Sequence, residues 1–270
     1  MKKRGLISLA LVITIIGLIS FNVFAEKNNE IEKSPLDFSL FASENILISG
    51  SEININGGIW VNNNLAFNGD SFDINGDTWS SNDIKSKGTI DGLWPNKYSN
   101  LNIQGNINKV SSPMSMIDIM SEIEDVAMEN AIIYEGNKTI NDTDLDSSSI
   151  IIKGGSASGI FFKRLNNYII ADDKISISVL NDKSSIDKPI VIASKKDTYT
   201  PYDLSLYESS ISIDGSSIAI VGNIYAPNGN VKIRGSGIYI IGNIIARNIY
   251  LEAAGIYIND KNEIDFEEDL

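Results

Sequence analysis

The stretch NILISGSEININGGIWVNN at residues 45–63 is followed at once by NLAFNGDSFDINGDTWSSN at 64–82, and the second overlays the first without a gap. Gly50 falls on Gly69, Gly57 on Gly76, Trp60 on Trp79, Ile46 on Leu65 and Ile48 on Phe67, every offset being 19. A fixed offset constrains a fold more than composition does, because stacking one unit on the next turns equal offsets into vertical neighbours. Each unit contains three short pieces, Ile46-Leu47-Ile48, Ile53-Asn54-Ile55 and Ile59-Trp60-Val61, with branched residues two apart. Two is the strand period. Ser, Asn and Gly separate the pieces as turn formers. Starts at 46, 53, 59 and 65 leave no room for ordinary hairpins and suit the sides of a three-sided coil.

The C-terminal part repeats the design at an offset of 20. Ile218 falls under Ile238, Gly222 under Gly242, Asn223 under Asn243, Ala226 under Ala246 and Asn228 under Asn248, with Gly215 on Gly235 and Ile211 on Val231. A shortened unit follows at Ile249, Leu251, Ile256 and Ile258. These offsets predict an all-β fold: a parallel β-solenoid (β-helix) of three-sided coils of about 19–20 residues, stacked ~4.8 Å apart. Inward Ile, Val and Leu would form continuous apolar ladders, and Gly would sit where the chain turns with positive φ. A β-sandwich needs longer antiparallel strands and no fixed register.

The period changes once. From Pro113 to Ala131, Met116, Ile119, Met120, Ile123, Ala127 and Ala131 recur at three and four, with Asp118, Glu122, Asp125 and Glu129 opposite. This spacing predicts an amphipathic helix over 113–131, begun by Pro113 and laid against a solenoid face. Earlier, SPLDFSLFA offers Ser34 as N-cap, Pro35 at N1 and Asp37 at N3, a short helix suited to cover the first coil's open edge.

The N-terminus carries Lys2, Lys3 and Arg4 before an apolar run from Leu6 to Ile19, with Val23 and Ala25 placed for cleavage before Glu26. Residues 1–25 read as a signal peptide or a membrane anchor. Either places the remainder outside the cytoplasm, secreted or anchored at the outer face of the cytoplasmic membrane. Gly5 lacks the Glu that follows five residues later in major pilins. The organisation is then a leader at 1–25, a linker and N-terminal cap at 26–44, a β-solenoid at 45–258 with the helical insertion 113–131, and an acidic tail at 259–270.

Among 270 residues there is neither Cys nor His. Disulfides, thiolate metal sites and Ser-His-Asp or Cys-His catalysis are excluded. The net charge of −13, with no cluster of Lys and Arg beyond the N-terminus, argues against nucleic-acid partners.

LDFSLFASENILISGSEININGGIWVNN and VGNIYAPNGNVKIRGSGIYIIGNIIARNIYL resemble the exported β-solenoid proteins associated with pilus assembly, some with PilX-type N-termini. Their pattern is an ALF-type start, I-x-I-x-G-S rungs and a closing YAPNG…G-x-I-I-A pair. More distantly the rungs are similar to bactofilins, polymer-forming bacterial cytoskeletal proteins. The resemblance covers most of 36–258. It implies an envelope or surface structural role and carries over no catalytic residue.

Trp60, Trp79 and Trp94 are expected at equivalent positions of three consecutive units, with Tyr225 and Ile245 as C-terminal counterparts. With Ile59 and Val61 inward, Trp60 points outward. Such a strip either holds sugar rings or a partner, with Trp60, Trp79, Trp94 and Tyr225 as binding residues, or stacks on itself beneath the helix of 113–131. Thr78 and Ser80 weaken the inward assignment in the second unit. Asp70, Asp73 and Asp77 read as solvated turn residues rather than a lyase-like carboxylate set. Asp142, Asp144 and Asp146 open like an EF-hand loop, but Ser147 and Lys153 stand where Gly and Glu belong. Asp172-Asp173 and Lys195-Lys196 read as ordinary turns. No catalytic residue, metal or cofactor is called for.

The expectation is a non-enzymatic structural or adhesive β-solenoid of the bacterial cell envelope, pilus-associated or self-assembling. Its partners are envelope or pilus proteins or its own copies. A carbohydrate-binding protein using the aromatic strip is the alternative, and a polysaccharide-degrading solenoid enzyme a third.

Overall fold

The computed structural model describes residues 33–82, 101–140, 149–159, 168–180, 190–198 and 208–259. The chain divides into Met1–Lys33 and Ser34–Leu270, and every described strand lies in the second unit. The expected leader, Trp94, the Asp142–Asp146 loop and all but the first residue of the acidic tail lie outside the described residues.

The fold is a parallel β-solenoid. Strands β1 (Leu40–Asn56), β2 (Ile59–Val61), β3 (Asn64–Ile74), β4 (Thr78–Ser80), β5 (Leu101–Ile103) and β6 (Ile107–Lys109) form the N-terminal coils. The C-terminal coils are β7 (Ala131–Glu135), β8 (Lys138–Thr139), β9 (Ser149–Lys153), β10 (Ala157–Ser158), β11 (Tyr168–Ala171), β12 (Ile175–Leu180), β13 (Ile190–Ser194), β14 (Ile211–Ile241) and β15 (Ile244–Asn259). Every registered pairing is parallel. The 19-residue offset is the stacking register itself: Ile46 pairs with Leu65, Ile48 with Phe67, Gly50 with Gly69 and Trp60 with Trp79. Gly222 and Gly242 lie on adjacent layers, since a Cβ on Gly242 would stand 2.0 Å from the Gly222 carbonyl oxygen. One expected pair is corrected. Asn248 stacks on Asn230, not Asn228, because the register shifts between Ala226 and Asn230.

On one side of the solenoid ten strands follow the order β6-β4-β2-β1-β15-β14-β13-β11-β9-β7. The first coil is therefore not at an end. Its β1 pairs with β15 on one edge and with β2 and β3 on the other, so Ser34–Asp37 has no open edge to cover. The expected N-terminal turn does form, as a 3₁₀ turn over Pro35–Asp37 with a capping box between Ser34 and Asp37. The chain starts mid-stack, coils outward to β6, crosses to the far end at β7 and coils back until β15 meets β1.

This crossing corrects the expected helix. Only Met120–Met128 is helical (α1), and 113–119 is neither helix nor strand. Ten strands at ~4.8 Å make about 43 Å between β6 and β7. A helix over 113–131 would advance only about 28 Å at 1.5 Å per residue. Val110 still donates to the Ser80 carbonyl, which leaves residues 111–112 to supply the rest. A non-helical 111–119 followed by one short helix can reach, since unwound chain advances up to roughly 3.3 Å per residue.

The interior is a column of branched side chains. Thr78, Ile59, Leu40, Ile244, Ile224, Ile192, Ile169 and Ile150 lie one above another and are buried. Thr78 and Ser80 do point inward, and the Thr78 hydroxyl is left without a partner.

Candidate functional site: an aromatic ladder beneath a strap

One residue further along each rung, the side chains point out of the coil. Stacking in order gives Asn108, Trp79, Trp60, Phe41, Ile245, Tyr225, Ala193, Ile170, Ile151 and Ile133. Trp60, Trp79 and Tyr225 thus share one outward column, as the alternation of Ile59 and Val61 predicts. Asn108 occupies the third-unit position where Trp94 is expected, because the chain between β4 and β5 is longer than one repeat.

An outward apolar column needs a cover, and the crossing segment supplies it. Met114, Met116, Ile117, Ile119 and Ile123 pack on the column together with buried Met120 and Ala127. Phe41, Ile245, Tyr225, Ala193, Ile170 and Ile151 are all buried under it. Trp60 and Trp79 stack with centroids 5.9 Å apart, and Phe38 packs against both at 5.4 and 5.2 Å. Both indoles are partly exposed, while Tyr225 is 2% exposed.

Three devices pin this strap. Asn62 receives the Trp60 indole N–H on Oδ1 at 2.8 Å. It also accepts from Met114 N at 2.8 Å and donates Nδ2 to Met114 O at 2.7 Å. The Tyr225 hydroxyl donates to Ile117 O at 2.5 Å and accepts from Ile119 N at 3.1 Å. Burial pushes the Tyr225 hydroxyl up to about 12, against the lowering effect of the Ile119 N–H. Glu124 of α1 pairs with Lys195, which also meets Asp172 at 3.1 Å.

The Asp172-Asp173 and Lys195-Lys196 turns therefore hold adjacent rungs together, which spacing did not reveal. Burial alone would raise the Asp172 carboxyl, but the Gly154 N–H and Lys195 outweigh it and hold it low. Asp173 is lowered by Lys196 and by the Ser156 hydroxyl. Sequence reading also missed the asparagine column, in which Asn64 donates to Asn45, Asn45 to Asn248 and Asn248 to Asn230, at 2.9 Å each.

The carboxylates of the second unit do not converge. Asp73 accepts from Asn102 at 3.0 Å and Asp77 from Asn106 N at 2.8 Å, both as turn acceptors. Among the described residues no three acidic side chains group as metal ligands would.

The stack's two ends differ from its middle. Ile107 on β6 and Ile132 on β7 occupy the two ends of the inward column, and are 64% and 40% exposed. A side chain of that column is buried wherever a rung lies on each side.

No family model matches this chain, no curated protein matches it, and no solved structure matches it.

Proposed function

We propose that this chain is a non-enzymatic structural or adhesive β-solenoid of the bacterial cell envelope that associates end to end with its own copies. One observation carries the reading: the buried isoleucine column stops at both ends with an exposed residue, Ile107 and Ile132. All described strands run parallel, so the edge of β6 that no described strand pairs complements the corresponding edge of β7, and a head-to-tail contact continues the existing ladder. Uncapped strand edges are sites of association. The envelope assignment rests on the basic and apolar leader and on the likeness to exported pilus-associated solenoids.

The carbohydrate reading has less to stand on, because Tyr225 is buried and Trp60 and Trp79 are packed against each other and Phe38. Electron microscopy and sedimentation of the mature chain test the proposal. Filaments or a concentration-dependent series of oligomers are expected, and Ile107→Lys with Ile132→Lys should return the chain to monomers. A monomer at every concentration would overturn it. Glycan-array binding lost in Trp60→Ala plus Trp79→Ala would favour the tryptophan strip instead, and release of reducing sugars from a polysaccharide would favour an enzyme.

A further inference from the structure

Among the described residues, each pair of neighbouring rungs on this side is joined by the one winding of chain between them, with a single exception. Where β1 lies on β15, the paired residues are about two hundred positions apart, Asn54 on Tyr257 for example. The two sets of coils meet there through non-covalent contacts alone, and their one covalent link is the strap. Seam pairing runs from Leu40 on Ile244 to Asn56 on Asn259, in the register that β15 also uses with β14. Side chains reinforce it: Asn45 donates to Asn248 at 2.9 Å, Asn56 to Asn259 at 2.8 Å, and Asn243 to the Phe38 carbonyl at 2.7 Å. The strap begins on the N-terminal coils at Asn62 and is pinned to the C-terminal coils by Tyr225 and Lys195.

We infer that this seam is exchangeable: the N-terminal coils of one chain dock on β15 of a second copy, with residues 111–119 as the hinge. The partner is a second copy because β15 of that copy already matches β1 residue for residue from Leu40 to Asn56. Exchange keeps every seam contact and costs the strap pins and the entropy of association, the usual terms for swapped elements. Strap length permits it. Two composite solenoids laid side by side and antiparallel bring β6 of one beside β7 of the other. The connecting segment then need not span the ~43 Å it crosses within one chain. Either edge, once parted, is a long parallel strand edge, the kind of surface that pairs with whatever matches it. This differs from the end-to-end contact proposed above, which uses β6 and β7 and leaves the seam closed.

The chain has no Cys, so introduced thiols report cleanly. Asn54→Cys and Tyr257→Cys stand on the solvent face of neighbouring strands, ~4.8 Å apart and within disulfide reach. The two full-length single variants are mixed at high concentration, warmed below the melting point, diluted and oxidised. A covalent heterodimer is expected, well above that from an Asn54→Cys plus Tyr239→Cys mixture, whose sites lie two rungs apart. Tyr225→Phe, which frees the strap, should raise the yield several-fold. The double variant Asn54→Cys/Tyr257→Cys, oxidised dilute and without warming, should close its own disulfide and give no dimer. Heterodimer no greater than the control, while the double variant closes normally, would overturn exchange. Failure of the double variant to close would overturn the seam itself. Ser49→Cys with Glu252→Cys, also register partners, repeats the test if either first substitution disturbs folding.

Discussion

The coils around the seam and the coils near β7 build one ladder by different means. Around the seam, β14, β1 and β15 run for 31, 17 and 16 residues through their corners. β1 and β14 turn at glycines with φ near +140°, Gly50, Gly222 and Gly235, packed on the backbone of the neighbouring rung, and β15 has Ala253 at the matching corner. Near β7 no strand exceeds six residues, and the rungs are held by ion pairs at the turns and by the strap. An exact repeat lets a backbone corner serve every layer. Where insertions break it, each corner needs its own side-chain fastening.

The two corner types should respond differently to the same substitution. At Gly235 (φ +141°) an added Cβ would stand 1.6 Å from the Gly215 carbonyl oxygen. Gly235→Ala should cost ~4 kcal/mol or more and broaden or abolish the cooperative melt. At Gly154 (φ +63°) the same change meets no atom within 4 Å. It should cost about 1 kcal/mol, from the left-handed backbone alone. Chemical denaturation of both variants checks this, and equal losses would erase the distinction.

Asn248 is fully buried and bonded to Asn45, Asn230 and Glu44. Asn248→Ala orphans several of these partners and should cost ~2–3 kcal/mol. Hydrogen exchange should locate the loss at the β1–β15 seam rather than near β7.

Tyr225→Phe removes both hydroxyl bonds to the strap and should cost roughly 1–2 kcal/mol. The raised Tyr225 value sets the pH window. Its contribution is full below about 10, where the unfolded tyrosine is also neutral, and is lost as pH rises from 10 towards about 12. Melts of wild type and variant should therefore converge over that range.

Thr78→Val replaces a buried hydroxyl that has no partner and should stabilise by ~1 kcal/mol. The smallest effect is expected at the ionic fastenings. Lys195→Met should cost about 0.5 kcal/mol, since solvent reaches both Lys195 and Asp172 and screens the pair. Burial alone would lower the Lys195 ammonium, but Glu124 and Asp172 outweigh it and hold it above its ordinary 10.5. Its share is present below 10.5 and fades as pH rises past it. The Asp172 share is present above the ordinary 3.8 and fades as pH falls below it. Both should be visible as shallow slopes in a stability–pH profile.

The layer-by-layer register was legible because stacking depends only on offset, as Gly50 on Gly69 and Trp60 on Trp79 show. The outward column of Trp60 and Tyr225 followed from strand alternation. The paired Asp172-Asp173 and Lys195-Lys196 turns were not legible, because insertions of unequal length separate them and no periodicity links them. Asn108 in place of Trp94 has the same cause.

By itself the sequence determined how each coil is wound and which residues line it, since alternation and glycine placement act over one or two turns. The order of the coils was decided only by the tertiary structure. Any coil with the right column of isoleucines can rest on any other, so local signals cannot say that the first meets the last. That meeting in turn fixed the strap: a segment patterned as one helix had to reach some 43 Å, and only Met120–Met128 of it stayed helical.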